Sequence, residues 1–283
     1  MNAPDSAVAL PGPAGLLARP RAPALSPAWP RATRLARRLA LPAAVLVVWQ
    51  AASLAGLANP LLLPPPSDVA ATLWQLTASG ELPRHVAVSA RRVLEGFALA
   101  AVAGLTLGIA MGLWRGVHQA ADLFIQVVKP IPPIAWIPLA ILWLGIGEEA
   151  KVFLIFIGAL FPILVNTIDA IRQTDGRYVE LARVFEVPRG LFIRQVVLPG
   201  ALPQIMSGLR LGVNLSWMCV VAAELIAAAS GVGYLIMDAR QLSQTDVVLA
   251  GMLTMGVMGK LTDDTLRLVE RRLVRWRPAF AGL

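Results

Sequence analysis

Asn214, Ser216, Trp217 and Glu224 carry hydrogen-bonding groups in the middle and far half of a largely apolar run from about residue 201 to 229. Polar and ionisable groups at membrane depth are expensive and commonly line a solute path or pair between helices, and for Asn214 and Glu224 both uses stay open. A second constellation is the segment VELARVFEVPRGLFIRQVVLPGALPQ, where Glu180, Arg183 and Glu186 alternate with an apolar set before the chain turns greasy again. Its chemistry is that of docking, not of bond breaking. His85 and His118 stand alone, and Cys219 is the single cysteine, inside an apolar run, so neither a catalytic cluster nor a zinc-like ligand set nor an intrachain disulfide is expected. Gly259-Lys260 is followed by Leu261 and no phosphate-binding loop occurs, so any nucleotide hydrolysis must lie on another chain.

The elements that position these residues follow from composition. Hydrophobic residues make up 57% of the 283 and charged ones 15%, where a soluble domain carries roughly a quarter charged. Mean hydropathy is +0.67. The net charge of +8 could serve nucleic acid or an anionic lipid surface. The arginines flank apolar runs, which favours the membrane and excludes nucleic acid.

Residues 1–33 are rich in Pro and Ala without helical periodicity and read as a disordered cytoplasmic tail, leaving 34–283 as one transmembrane domain. LALPAAVLVVWQAASLAGLA, residues 39–58, is the first span, and Arg34, Arg37 and Arg38 before it place the N-terminus inside. An interfacial helix follows, capped by Ser67 or Asp68, with Val69, Leu73, Trp74 and Leu76 on its apolar side. The second span runs from near Arg92 to Leu113, and Gly96, Gly104, Gly108 and Gly112 give it a smooth face for close helix approach. Arg91 and Arg92 at its outer end run against the positive-inside rule, and Glu95 can neutralise one of them.

The third span, from about Ala120, must break or kink at Pro130, Pro132, Pro133 and Pro138. The fourth, VFLIFIGALFPILVNTIDAI, returns to the cytoplasm. The fifth covers about 201–229, with Arg210 snorkelling near its inner start. SGVGYLIMDARQLSQTD connects it outside to the sixth, which ends at the basic residues Arg271, Arg272, Arg275 and Arg277. Six spans with both termini inside is a self-consistent topology.

The loop at about 172–198 holds five arginines against Asp175, Glu180 and Glu186, which assigns it to the cytoplasm. Tyr178, Leu181, Ala182 and Phe185 recur at helical spacing, and Pro188-Arg189-Gly190 ends that helix before a second short one, Leu191–Val197, reaches Leu198-Pro199. Its small apolar face suits a groove on a soluble partner, with Phe185 as anchor and Glu180 and Arg183 as orienting contacts.

This segment resembles the signature loop of binding-protein-dependent ABC importer permeases: EAA, three residues, Gly, nine residues, Ile, one residue, Leu-Pro. Here stand Glu180, Leu181 and Ala182, then Glu186 in the glycine position, Val196 for Ile, and Leu198-Pro199 after Val197. Glu186 replaces the residue that permits a tight change of direction, so either the bend shifts to Val187-Pro188 or the partner accommodates an extra carboxylate. The resemblance covers about residues 85–280. Through PIPPIAWIPLAILWLGIGEEAK, VAAELIAAASGVGYLI and QLSQTDVVLAGMLTMGVMGKL it is nearest to permeases for aliphatic sulfonates, taurine and nitrate.

The resemblance implies an all-α, type I importer-like permease in the bacterial inner membrane, acting as a homodimer in lipid. It further implies two cytoplasmic ATPase subunits, which use ATP and magnesium, and an extracytoplasmic binding protein that delivers a small anionic solute. This subunit then binds no cofactor or metal and has no catalytic residue. Its coupling residues are Glu180 to Arg183, Phe185, Glu186, Val187, Leu198 and Pro199. Other cargoes, such as nitrate or a vitamin precursor, fit the same machine. A secondary transporter or channel predicts inverted repeats, which the sequence lacks, and a membrane enzyme needs a convergent polar cluster, which it also lacks.

Overall fold

The computed structural model describes residues 31–57 and 59–274. The expected tail lies outside the described residues up to residue 30, as do Arg275 and Arg277. The chain forms two units divided at Val48, and all packing reported below lies within the second.

Among the described residues every regular element is helical: α1 (Arg31–Leu54), α2 (Pro66–Ala78), α3 (Glu81–Leu113), α4 (Arg115–Val128), α5 (Ile137–Leu144), α6 (Glu148–Arg172), α7 (Gly176–Val184), α8 (Arg189–Phe192), α9 (Leu198–Ala227), α10 (Val232–Gln241) and α11 (Thr245–Leu273). Three stretches of the described residues are long and apolar enough to cross a membrane: α3, α6, and the continuous path from Arg189 through α9 to Ile226. A fourth results if α4 and the Pro133–Leu144 segment count as one broken span. The break is the one the prolines dictate. The chain turns through 90° between Val128 and Pro133, and a 3-10 turn over Pro133–Trp136 leads into α5.

α3, α6 and α9 pack through glycines. A side chain at Gly96, Gly104, Gly108 or Gly112 would run into Ile155, Ile163, Thr167 or Ile171 respectively, a constant offset that makes α3 and α6 parallel. Gly208 and Gly212 of α9 meet Asn166 and Ile163, while Gly158 of α6 meets Cys219, so α9 runs antiparallel to them. In lipid, helices gain little from hiding apolar surface, and close backbone approach through small residues supplies the packing instead. Ile155, Ile163 and Val220 are fully buried at these contacts, while Leu99, Val102 and Leu253 remain exposed on outward faces.

Several expected boundaries shift. α3 begins at Glu81, ahead of the expected start near Arg92, because the polar turn before it is itself helical. The connection after α9, expected outside, contains α10. α2 starts at Pro66 after Pro65, with no side-chain cap; Ser67 and Asp68 lie in its first turn, and Trp74 points outward. Proline is suited to that first position because its missing N–H is one the helix would leave unpaired anyway. Arg210 does not snorkel: its Nε donates to Asp263 Oδ1 of α11 at 2.8 Å and its Nη2 to Oδ2 at 3.3 Å.

Candidate functional site

Two helices of the bundle, α6 and α9, are joined by the charged loop. Asp175 starts α7 by accepting a hydrogen bond from Arg177 N at 2.9 Å, satisfying one of the free N–H groups of the first turn. At the other end, Val187 N donates to Ala182 O at 2.8 Å and Glu186 N to Arg183 O at 3.2 Å. This is the paired-bond helix stop that normally places glycine at the residue of positive φ. Glu186 occupies it with φ +51°. The bend therefore stays at Glu186 and does not move to Val187-Pro188.

The α7 stop aims an apolar face outward. Tyr178 is 55% exposed, Leu181 52%, Val184 76% and Phe185 75%. Phe185, Tyr178 and Leu181 join Leu191, Phe192 and Val196 around a groove of about 330 Å³. Glu180, Arg183 and Glu186 are exposed beside it, and Ala182 and Val187 are half-buried. The second short helix is α8 followed by a π-turn over Ile193–Val197, which runs into α9 at Leu198-Pro199 without interruption. Single π-turns of this kind are rare and concentrate at functional positions. Loop and α9 thus share one axis segment, so a displacement of α7–α8 has a direct backbone route into the membrane.

The intramembrane candidates separate. Asn214 is exposed, on the same α9 face as Leu211 and Met218. Beside Met218, Leu215 and Ala222 line an apolar cavity of about 280 Å³ against Pro132, Pro133 and Ile134 of the α4–α5 break. Ser216 is fully buried, and its hydroxyl donates to Gly212 O at 3.0 Å. Trp217 is 6% exposed, and its Nε1 donates to Thr262 Oγ1 of α11 at 2.9 Å. Glu224 is 1% exposed.

Glu224 is the centre of a cluster that sequence reasoning did not assemble. Ser89 Oγ of α3 lies 2.8 and 2.9 Å from its two oxygens, Arg92 Nη1 donates to Oε1 at 2.8 Å, and Gly233 N donates to Oε2 at 2.8 Å. Arg92, itself 2% exposed, also holds Glu148 through Nε and Nη2, both at 2.6 Å, and donates to Ser230 O at 2.7 Å. Lys151 Nζ donates to Glu148 at 2.9 Å. Arg91 pairs with Glu95 at 2.7 Å, as expected for one of the two arginines. The signal in the sequence is an arginine at a span end expected to lie outside, against the positive-inside rule, together with a carboxylate in an apolar run. Each implied a partner, and they partner each other.

A family model described as the binding-protein-dependent transport system inner membrane component matches residues 104–275. A permease protein of Bacillus subtilis (strain 168) named for aliphatic sulfonates transport is 42% identical over 244 residues, 86% of this chain and 88% of that protein. The taurine transport system permease protein of Escherichia coli (strain K12) is 35% identical over 255 residues, 88% of this chain and 92% of its own length. Among solved structures, the inward-facing MetNI methionine ABC transporter superposes with a TM-score of 0.52 at 16% identity, over 66% of this chain and 91% of that one, which is a likeness of fold. With a loop that keeps the signature spacing and three apolar membrane-length helices, the chain belongs to the inner membrane component family of binding-protein-dependent transport systems, as the multi-pass permease subunit of an ABC importer.

Proposed function

We propose that this subunit works as a homodimer with six spans and both termini inside, moving a small sulfonate or a similar organic anion handed over by an extracytoplasmic binding protein. Two ATPase subunits on the cytoplasmic side supply the free energy from ATP and magnesium. The observation that carries this reading is the exposed apolar face of Tyr178, Leu181, Val184 and Phe185 on a charged helix that leads through a π-turn into α9. An exposed apolar face on a charged helix suits a groove on a soluble partner, and the five arginines around it favour the cytoplasmic side.

ATP acts by favouring one of two arrangements of the ATPase pair, and α7, seated in a cleft of that partner, carries the change into α9. Glu180 and Arg183 orient the contact, Phe185 anchors it, and Leu198-Pro199 hands it on to the span. On the path itself, the exposed α9 face with Asn214 is the candidate solute contact. Ser216, Trp217 and Glu224 support it from behind. The directions of α3, α6, α9 and α11 are those that alternating spans require, and the relatives named for sulfonate and taurine transport support the cargo class.

The test is affinity purification of the tagged subunit from membranes in mild detergent, wild type beside Phe185→Ala and Glu180→Ala, followed by ATP hydrolysis in liposomes with the binding protein. Copurification of an ATPase that the substitutions release or uncouple is the expected result. Absence of any ATPase with the wild type overturns the proposal and favours a secondary transporter or channel.

A further inference from the structure

The polar cluster around Arg92 lies at the end of the bundle away from the coupling loop. α6 starts there at Glu148 and reaches the loop only after Arg172, and α9 starts at the loop and ends there at Ala227, a span of about 37 Å for a helix of 25 residues at 1.5 Å per residue. Four elements meet at this end. Arg92 of α3 holds Glu148 of α6 with two parallel bonds and Glu224 of α9 with a third, and it takes the carbonyl of Ser230 in the α9–α10 turn.

The start of α10 has no cap of its own. Its N–H groups are taken by other helices: Gly231 N donates to His85 Nδ1 at 3.0 Å, Val232 N to Ser89 Oγ at 2.9 Å and Gly233 N to Glu224 Oε2 at 2.8 Å. A side chain at Gly231 or Gly233 would overlap Glu224 itself, so the turn is shaped around that carboxylate. Lipid-depth packing does not require such an arrangement, because an apolar side chain would fill the same space without two buried charges. The charges are better understood as fixing one geometry.

We propose that Arg92 is a positioning residue for transport: by clamping Glu148, Glu224 and Ser230 it joins α3, α6 and the α9–α10 turn into one body at the receiving end of the path, so that this end opens and closes as a unit. The proposal rests on the permease reading. Its polar outlet is Glu148, whose side chain is 59% exposed while Arg92 is 3% exposed, so the joint reaches the surface at the end of the bundle where the permease reading puts the binding protein.

The experiment uses the complete transporter, with its ATPase and binding protein, in liposomes loaded with ATP, and follows uptake of radiolabelled ethanesulfonate per ATP hydrolysed. Wild-type uptake that depends on ATP and the binding protein is the control; its absence counts against the permease reading or the chosen solute, whereas the ATPase response to the binding protein still reports on the joint. Three variants follow: Arg92→Lys, whose single ammonium cannot hold the fork on Glu148 and also Glu224; Glu148→Gln, which weakens only the exposed arm; and the apolar double replacement Arg92→Met with Glu224→Met. The proposal expects assembled complexes whose stimulation of ATP hydrolysis by the binding protein, and whose uptake per ATP, fall by about tenfold in Arg92→Lys and in the double variant, and by less in Glu148→Gln. Wild-type coupling in Arg92→Lys, or full coupling in the apolar pair, overturns it. Failure of both to assemble assigns the cluster to folding and overturns it as well.

Discussion

Val187 N donates to the carbonyl of Ala182 at 2.8 Å, closing α7 over a glutamate held at φ +51°. A non-glycine residue in the left-handed region costs about 1–2 kcal/mol, against about 0.5–1 kcal/mol that glycine gives back in chain entropy. Glu186 is exposed, so removing its carboxylate gives up little packing within the chain. Glu186→Gly is expected to stabilise the stop by about 0.5 kcal/mol, the difference of those terms, and Glu186→Val to weaken it, since a branched side chain is poorly tolerated at positive φ. Amide exchange across residues 182–187 reads this directly: slower than wild type in the first, faster in the second. Equal rates in all three would mean that the stop carries no strain.

The parallel contact of α3 with α6 makes a second prediction. A Cβ at Gly108 would sit 2.7 Å from Thr167 Cβ, a branch point in a fully buried residue that cannot swing aside. Gly108→Ala is expected to cost about 1–3 kcal/mol through overpacking. Gly116, at the start of α4, has nothing within 4 Å, and Gly116→Ala is expected to be neutral or stabilising by up to about 1 kcal/mol through helix propensity. Thermal unfolding in one detergent compares them. A Gly108→Ala protein as stable as wild type contradicts the packing described here.

Much of this architecture is legible in the sequence because membrane helices announce themselves by composition and prolines and glycines by position. The glycine ladder of α3 and the break at Pro130–Pro133 both follow from local rules. What the sequence did not yield are relations between distant residues: nothing in the spacing of Arg92, Glu148 and Glu224 says they converge, because each sits on a different helix. The pairing of Arg210 escapes the sequence for the same reason, since snorkelling is the answer for an arginine without a partner and Asp263 lies on another helix. At Glu186 a local rule gave two choices, and the one that moved the bend failed because the two hydrogen bonds of the stop outweigh the modest strain of one residue.

Asn214 and Trp217 lie three residues apart on α9 and face opposite environments. Asn214→Leu is expected to reduce uptake while leaving unfolding within about 0.5 kcal/mol of wild type, since the side chain is exposed and packs on nothing critical. Trp217→Phe removes the bond to Thr262 and is expected to cost about 1 kcal/mol of stability, with uptake following the amount of folded protein. Uptake in liposomes normalised to assembled complex separates the two. Normal uptake in Asn214→Leu removes that face from the solute path.

Arg210 and Asp263 provide the most direct measure of how α9 is fastened to α11. Asp263 accepts from Arg210 through both oxygens and from Arg267 Nε at 3.1 Å, while Arg210 Nη1 also reaches Glu270 at 3.5 Å. The aspartate therefore serves two cations. Removing it takes the aspartate from both Arg210 and Arg267 and leaves Arg210 its longer contact to Glu270, whereas removing Arg210 leaves Asp263 paired with Arg267. Asp263→Leu is expected to destabilise more than Arg210→Met. The coupling energy from a double-mutant cycle is expected at about 1–3 kcal/mol, in the range for contacting charges in one network. Unfolding of the two single variants and the double variant in the same detergent gives both quantities, and a coupling near zero or the reverse order would show that the helices are fastened by packing alone.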